Sequence, residues 1–330
     1  MNNRLPWHGP AWDRLREAHA QQRLGHALLL TGAQGLGKGR FALRLAAGLL
    51  CRSPEDGEAC GVCRSCELYA AGTHPDFRLI QPEEKSVITV DQIRALTRAL
   101  GLTAQLGGAR VAVIQPAERM HAAAANALLK TLEEPTRGAY LVLVSDQASG
   151  LPATVRSRCQ HIGFAAPPAE VARAWLAEQG VGEPAALLAA SGGAPLKALA
   201  FHEGDAGQWQ ATLAGLVALA AGQTDPVSLA AGWQDKTTAP DHLQALWRVL
   251  GELIRWKAGG DAPAIFGPSE RRVLHDWLQR VDWSGLFALV DRTGQALRGV
   301  HGGLNPELLL DDLLIAWTRL PRPPQVREAG

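Results

Sequence analysis

A doubly wound α/β half followed by an all-α half is the architecture this 330-residue sequence predicts, and three observations predict it. Short apolar runs alternate with amphipathic stretches through the first half of the chain. A Gly-rich turn joins the first apolar run to the first long helical stretch. Beyond Ala165-Ala166-Pro167-Pro168 the apolar residues fall at helical spacing with no convincing strand, and eight of the ten Trp lie past residue 170.

The elements follow in order. His26-Ala27-Leu28-Leu29-Leu30 stops at Thr31-Gly32, as a strand buried on both faces does. After the Gly-rich turn, Arg40 to Leu50 carries apolar residues at helical spacing. Further strands are expected over Phe77 to Ile80, Val111 to Ile114, Tyr140 to Val144 and His161 to Phe164. Helices are expected over Asp91 to Leu100, where Ile93, Leu96 and Leu100 share a face, and over Ala122 to Leu132. The breaks divide the chain into an α/β domain over 1–166 with a cysteine-bearing insertion at 51–66, a small helical domain over 167–205 and a larger helical domain over 206–330. Its tail, from Pro321-Arg322-Pro323-Pro324 onward, reads as disordered.

Composition narrows the function classes. Lys and Arg number 33 against 32 Asp and Glu, so a net charge near +1 excludes a globally basic nucleic-acid coat. No apolar run approaches the roughly 18 residues that span a bilayer, and no apolar segment follows the first residues, which points to a cytoplasmic protein with no membrane partner. Five cysteines in such a compartment argue for metal-bound or free thiols rather than a disulfide framework.

Gly32-Ala33-Gln34-Gly35-Leu36-Gly37-Lys38-Gly39 fits the Walker A pattern at every position except the last. Between strand and helix, such a loop aims backbone N–H groups at a phosphate chain, with Gly32, Gly35 and Gly37 freeing the backbone and Lys38 supplying charge. The Ser or Thr that binds Mg²⁺ is replaced by Gly39, which has no oxygen to offer. Such a cradle can hold ATP or ADP, take a bare phosphate, or stay empty. After the strand Val111 to Ile114, where an acidic pair completes a phosphoryl-transfer site, the residues are Gln115 and Pro116. Neither can neutralise a metal or polarise water. Glu118 follows too late and reads as a surface residue. Hydrolysis by this chain alone is not expected.

Cys51, Cys60, Cys63 and Cys66 give C-x8-C-x2-C-x2-C. Four soft ligands within one short segment favour tetrahedral Zn²⁺, and with no vacant position the site is structural. The competing readings are incidental thiols or a redox pair. His74, eight residues past Cys66, is a spare ligand candidate but reads first as a loop residue, and Cys159 stands apart as a packing thiol.

Three further strings accompany these features: Thr89-Val90-Asp91-Gln92-Ile93-Arg94, Asn126 to Pro135 (NALLKTLEEP) and Ser157-Arg158-Cys159. Together with the phosphate loop and the cysteine cluster behind its helix, they resemble the AAA+ subunits of bacterial clamp loaders. Motifs support the resemblance over residues 5–200, and domain order supports it beyond. It implies an AAA+ P-loop NTPase-like doubly wound sheet with a zinc module, then a small helical lid domain and an all-α collar. It also implies partners: gamma/tau and delta subunits in a ring, the sliding clamp and primer–template DNA. A second nucleotide sensor in that family places an Arg shortly after a Gly-Ser pair. Here Gly193-Ala194-Pro195-Leu196-Lys197 has Leu196 there, with Lys197 one position late and expected to face solvent. Losses at Gly39, Gln115-Pro116 and Leu196 resemble the delta-prime branch, which lacks its own ATPase chemistry. The Ser-Arg-Cys resemblance gives Arg158 the role of an arginine finger acting on ATP held by a neighbouring subunit. Two rivals remain in view. An active gamma/tau-like ATPase predicts turnover by the isolated chain, and a zinc-dependent nucleic-acid binder on an ATPase fold predicts tight, salt-sensitive DNA binding.

Overall fold

A computed structural model describes residues 4–320 except 84–86, 107, 183, 201, 203–205, 234–237, 264 and 302–303. The tail expected from Pro321 lies outside the described residues, as do residues 203–205 at the expected boundary between the two helical domains. The chain divides into two compact units, one comprising residues 1–178 with 193–197, the other 179–192 with the remainder from 198.

The first unit is built on five parallel strands: β1 (Ala27–Thr31), β2 (Phe77–Ile80), β3 (Arg110–Ile114), β4 (Ala139–Ser145) and β5 (Gln160–Gly163). Their order is β2-β3-β4-β1-β5. Around them lie α1 (Gly9–Ala20), α2 (Lys38–Leu50), α3 (Arg64–Ala70), α4 (Val90–Gly101), α5 (Ala122–Glu133), α6 (Ala153–Arg156) and α7 (Ala169–Glu178). Strand period two sorts the central side chains onto two faces. Leu29, Ile114, Leu141 and Leu143 meet α4 and α5 through Ile93, Leu96, Leu128 and Leu132. Leu28, Leu30, Val111, Val113, Val142 and Val144 meet α1 and α2 through Trp12, Leu15, Phe41 and Leu45. Both faces are dry, which is why β1, β3 and β4 are nearly continuous apolar runs.

The Thr89 string has a local physical cause. Thr89 Oγ1 accepts from the Gln92 N–H (3.3 Å) and Gln92 Oε1 accepts from the Thr89 N–H (2.8 Å), a capping box that starts α4. Four residues past the start of that box, Ile93 begins the buried face.

The second unit is helical among the described residues: α8 (Pro184–Ala190), then, after α9 (Pro195–Ala200), which straddles the unit boundary, α10 (Ala206–Ala220), α11 (Pro226–Gly232), α12 (Ala239–Lys257), α13 (Pro268–Gln279), α14 (Trp283–His301) and α15 (Pro306–Thr318). Its core is rich in indoles. Trp277 and Trp317 stack at 4.3 Å, and Trp233 lies flat on His242 at 4.4 Å, whose Nδ1 is 2.7 Å from Thr212 Oγ1. No helix among the described residues is long and apolar enough to cross a membrane.

Candidate functional site

The phosphate loop runs from the end of β1 into α2. Gly35 and Gly37 have φ of +84° and +82°, where any side chain would be strained. A Cβ on Gly37 would also stand 2.3 Å from Leu5 Cδ1. The N-terminal segment therefore lies directly on the loop. Trp7 Nε1 donates to Leu36 O (2.9 Å), and His8 Nε2 is 3.0 Å from the same oxygen. His8 is fully buried, and burial holds its pKa below the usual histidine value.

Lys38 is turned onto the loop that carries it. Its ammonium donates to Gly32 O (2.6 Å) and Ala33 O (2.7 Å) and pairs with Asp146 Oδ1 (2.6 Å). Three contacts match an ammonium's three donors, and the side chain is 2% exposed. Asp146 follows Ser145, whose register partner on β1 is Thr31, so the parallel pairing of β1 and β4 brings this carboxylate to the loop's first residues. Nothing in the local sequence around Asp146 announces that contact.

Opposite Lys38, the metal-ligand position is filled from another strand. A Cβ on Gly39 would stand 2.4 Å from Gln115 Oε1 and 2.5 Å from Gln115 Nε2. The amide of Gln115 thus occupies the space of the missing hydroxyl side chain. Glycine at 39 and Gln at 115 are two halves of one packing arrangement. Glu118, read from sequence as a surface residue, is half-buried and accepts the Asp146 N–H at 3.0 Å, so it fixes the lysine's partner. Lys197, expected at the solvent face, is also half-buried. Its Cβ would be 2.6 Å from a Cβ on Gly35, while the Leu196 N–H donates to Gly35 O (3.0 Å).

The structure brings the four cysteines together. Cys51 and Cys63 Sγ are 3.9 Å apart, Cys60 and Cys66 4.0 Å, Cys63 and Cys66 3.5 Å, and all four lie within 4.8 Å of one another. Four ligands at about 2.3 Å around a tetrahedral ion have sulfur–sulfur edges of about 3.8 Å. The cluster can therefore hold a metal ion with little movement. Backbone N–H groups of Ser53 (3.4 Å) and Cys60 (3.3 Å) point at Cys51 Sγ. The N–H groups of Arg52 and then Cys66 bring the Cys63 thiol down to about 6, whereas burial pushes Cys66 up to about 12. The segment between Cys51 and Cys60 is fastened to α1 and α2: Glu58 pairs with Arg44, Asp56 with Arg16 (3.1 Å), and Gly48 lets the Gly57 carbonyl approach within 2.1 Å of where a Cβ would be. His74 is not turned to the sulfurs. Its Nε2 meets Ser65 Oγ (2.8 Å), and its Nδ1 accepts the Asp76 N–H (3.1 Å), so it braces the chain behind the cluster. Cys159 is buried against the Val155 carbonyl (3.3 Å), which lifts its pKa to about 11.

Arg158 sits away from this loop, between α6 and β5, with its side chain 36% exposed. Its Nε and Nη2 both donate to Glu133 Oε1 (2.7 and 2.5 Å), and its Nη1 donates to the Thr154 carbonyl (3.0 Å).

Models of the family described as "DNA polymerase III, delta subunit" match residues 7–168, and of its C-terminal part residues 206–319. The DNA polymerase III subunit delta' of Pseudomonas aeruginosa is 38% identical, over 98% of this chain and 100% of that protein. The chain belongs to the delta' family of DNA polymerase III subunits. The delta' of Escherichia coli is 35% identical over 94% of each chain, and that of Yersinia pestis 34% over 96% and 95%. Since these delta' relatives align from end to end, both units are covered by the kinship, the helical one included.

Proposed function

We propose that this chain is a non-hydrolysing, stator-like subunit of the replicative clamp loader that supplies Arg158 as an arginine finger to ATP bound on a neighbouring gamma/tau subunit. The observation that carries it is the pairing of a self-filled phosphate loop with a partly exposed arginine held by hydrogen bonds. Lys38 spends its donors on Gly32, Ala33 and Asp146, and Gln115 stands where the metal ligand's side chain would be. A site in that state lacks the side chains that would hold the metal and position the water for phosphoryl transfer.

Kinship with delta' subunits supports a wider setting for this reading. The subunit works in the cytoplasm within a hetero-oligomeric ring with gamma/tau and delta, and the ring opens the sliding clamp and loads it on primer–template DNA. Residues 1–166 form the AAA+ domain, 167–205 the lid and 206–330 the collar that holds the ring. Cys51, Cys60, Cys63 and Cys66 bind one structural Zn²⁺, a reading supported by four thiols at near-tetrahedral spacing within one short segment. Gly32, Gly35, Gly37 and Lys38 keep the shape of a nucleotide cradle without its use. Titration of the isolated chain with a fluorescent ATP analogue and Mg²⁺, beside a hydrolysis assay, tests the first half of the proposal. Neither saturable Mg²⁺-dependent binding nor turnover is expected. Turnover comparable to a gamma/tau subunit would overturn it.

A further inference from the structure

Glu133 is the last residue of α5, and Glu134 follows it. A carboxylate there faces the negative end of the helix dipole, where a basic side chain is the favoured choice. Helix stability therefore does not account for an acid at this position. Nor does its ion pair with Arg158 contribute much to the fold, since both partners are substantially exposed, at 50% and 36%. What the pair does is geometric. One carboxylate oxygen of Glu133 takes both Nε and Nη2 of Arg158, while the carbonyl of Thr154, the second residue of α6, takes Nη1. The guanidinium is gripped along its inner edge by two helices that themselves pack against the sheet. An N–H on the outer side of Nη2 stays available.

We propose that Glu133 is a positioning residue for Arg158, fixing the guanidinium so that its free edge is presented to a phosphoryl group on the adjoining subunit; this rests on the finger reading above. An arginine loses considerable rotamer freedom when it enters a neighbour's site, and prior anchoring removes part of that loss from the transition state. The carboxylate also subtracts some positive charge from the finger. With one oxygen on the inner edge, the gain in orientation outweighs that loss.

The test uses the reconstituted loader with clamp and primed DNA, with steady-state ATP hydrolysis measured for wild type, Glu133→Ala, Glu133→Gln, Arg158→Ala and the Glu133→Ala/Arg158→Ala double variant. Thermal unfolding and incorporation into the complex are checked for each. Glu133→Ala is expected to lower kcat roughly two- to fivefold, the scale of one exposed charge-assisted pair, at unchanged KM for ATP. Glu133→Gln, which keeps an acceptor oxygen, should recover most of the rate. In the Arg158→Ala background Glu133→Ala should change nothing, an outcome that a merely structural role would not produce. Turnover by Glu133→Ala equal to or above wild type, or an equal fall in both backgrounds, overturns the positioning role while leaving the finger intact. Full activity of Arg158→Ala overturns the finger itself, and the positioning role with it.

Discussion

Replacing Cys63 by Ser should unfasten the segment from Cys51 to Cys66 and cost the first unit a measurable share of its stability. Cys63 lies 3.9 Å from Cys51 and 3.5 Å from Cys66, so it bridges the start and end of the cluster. With three sulfurs left, a tetrahedral ion keeps an open position and binds more weakly. A cross-link closing a loop of about 15 residues is worth about 3 kcal/mol in the chain-entropy description. For a unit of this size that corresponds to a fall in Tm of roughly 6–12 °C. The salt bridges of Glu58 and Asp56 remain and keep the loss from being total. The assay is metal content of the purified full-length chain together with its thermal unfolding, with and without a strong chelator. Chelation of the wild type should reproduce the Cys63→Ser curve, and chelation of the variant should add little. A wild-type chain purified without chelator that holds no stoichiometric metal, or a Cys63→Ser variant that keeps both metal and Tm, would refute the structural-metal reading.

Other expectations concern the phosphate loop and the helical unit. Lys38→Met leaves Gly32 O, Ala33 O and Asp146 without their donor and should lower the unfolding free energy by about 1–3 kcal/mol; urea unfolding with no loss would show the contacts to be idle. Gly39→Thr collides with the Gln115 amide, so it should destabilise the wild type by more than it destabilises a Gln115→Ala background, and equal effects in a double-mutant cycle would deny the packing link. Burial brings the His242 pKa down to about 4. The histidine is neutral in the fold and protonates more readily when unfolded, so its contribution is complete above about pH 6.5 and is lost as pH falls from there towards 4, by roughly 3 kcal/mol in all. His242→Gln should flatten that part of the pH–stability curve of the helical unit; an unchanged slope would place the titration elsewhere.

The sheet was legible because its signals are local. β1, β3 and β4 are apolar runs buried on both faces, and β2 is bounded as expected at Phe77 and Ile80. Helix α4 announces itself through Thr89 and Gln92, three residues apart, and the four cysteines lie within one short segment. The rest of the site is made by tertiary contact. Asp146 reaches Lys38 only because β4 pairs with β1, and Gln115 fills the space at Gly39 only because the end of β3 faces the start of α2. That position 39 has no hydroxyl and position 115 no acid could be read from the sequence, whereas the packing of Gln115 against Gly39 could not. Glu118 and His74 carry the same lesson: a polar residue in a connecting segment reads as a surface or loop residue until the fold supplies its partner. The grip of Glu133 on Arg158 joins two of the recognised strings, yet neither string by itself indicates that they touch.

Steady-state ATP hydrolysis by the assembled loader with clamp and primed DNA, comparing wild type with Arg158→Ala and including the isolated chain, bears most directly on whether this subunit acts only on its neighbour's nucleotide. An inert isolated chain and a clear fall for Arg158→Ala in the complex are expected, since a finger of this kind is worth roughly 10³–10⁵ in rate at the site it serves. Hydrolysis by the isolated chain, with the complex indifferent to Arg158→Ala, would contradict that role and make the chain an ATPase in its own right.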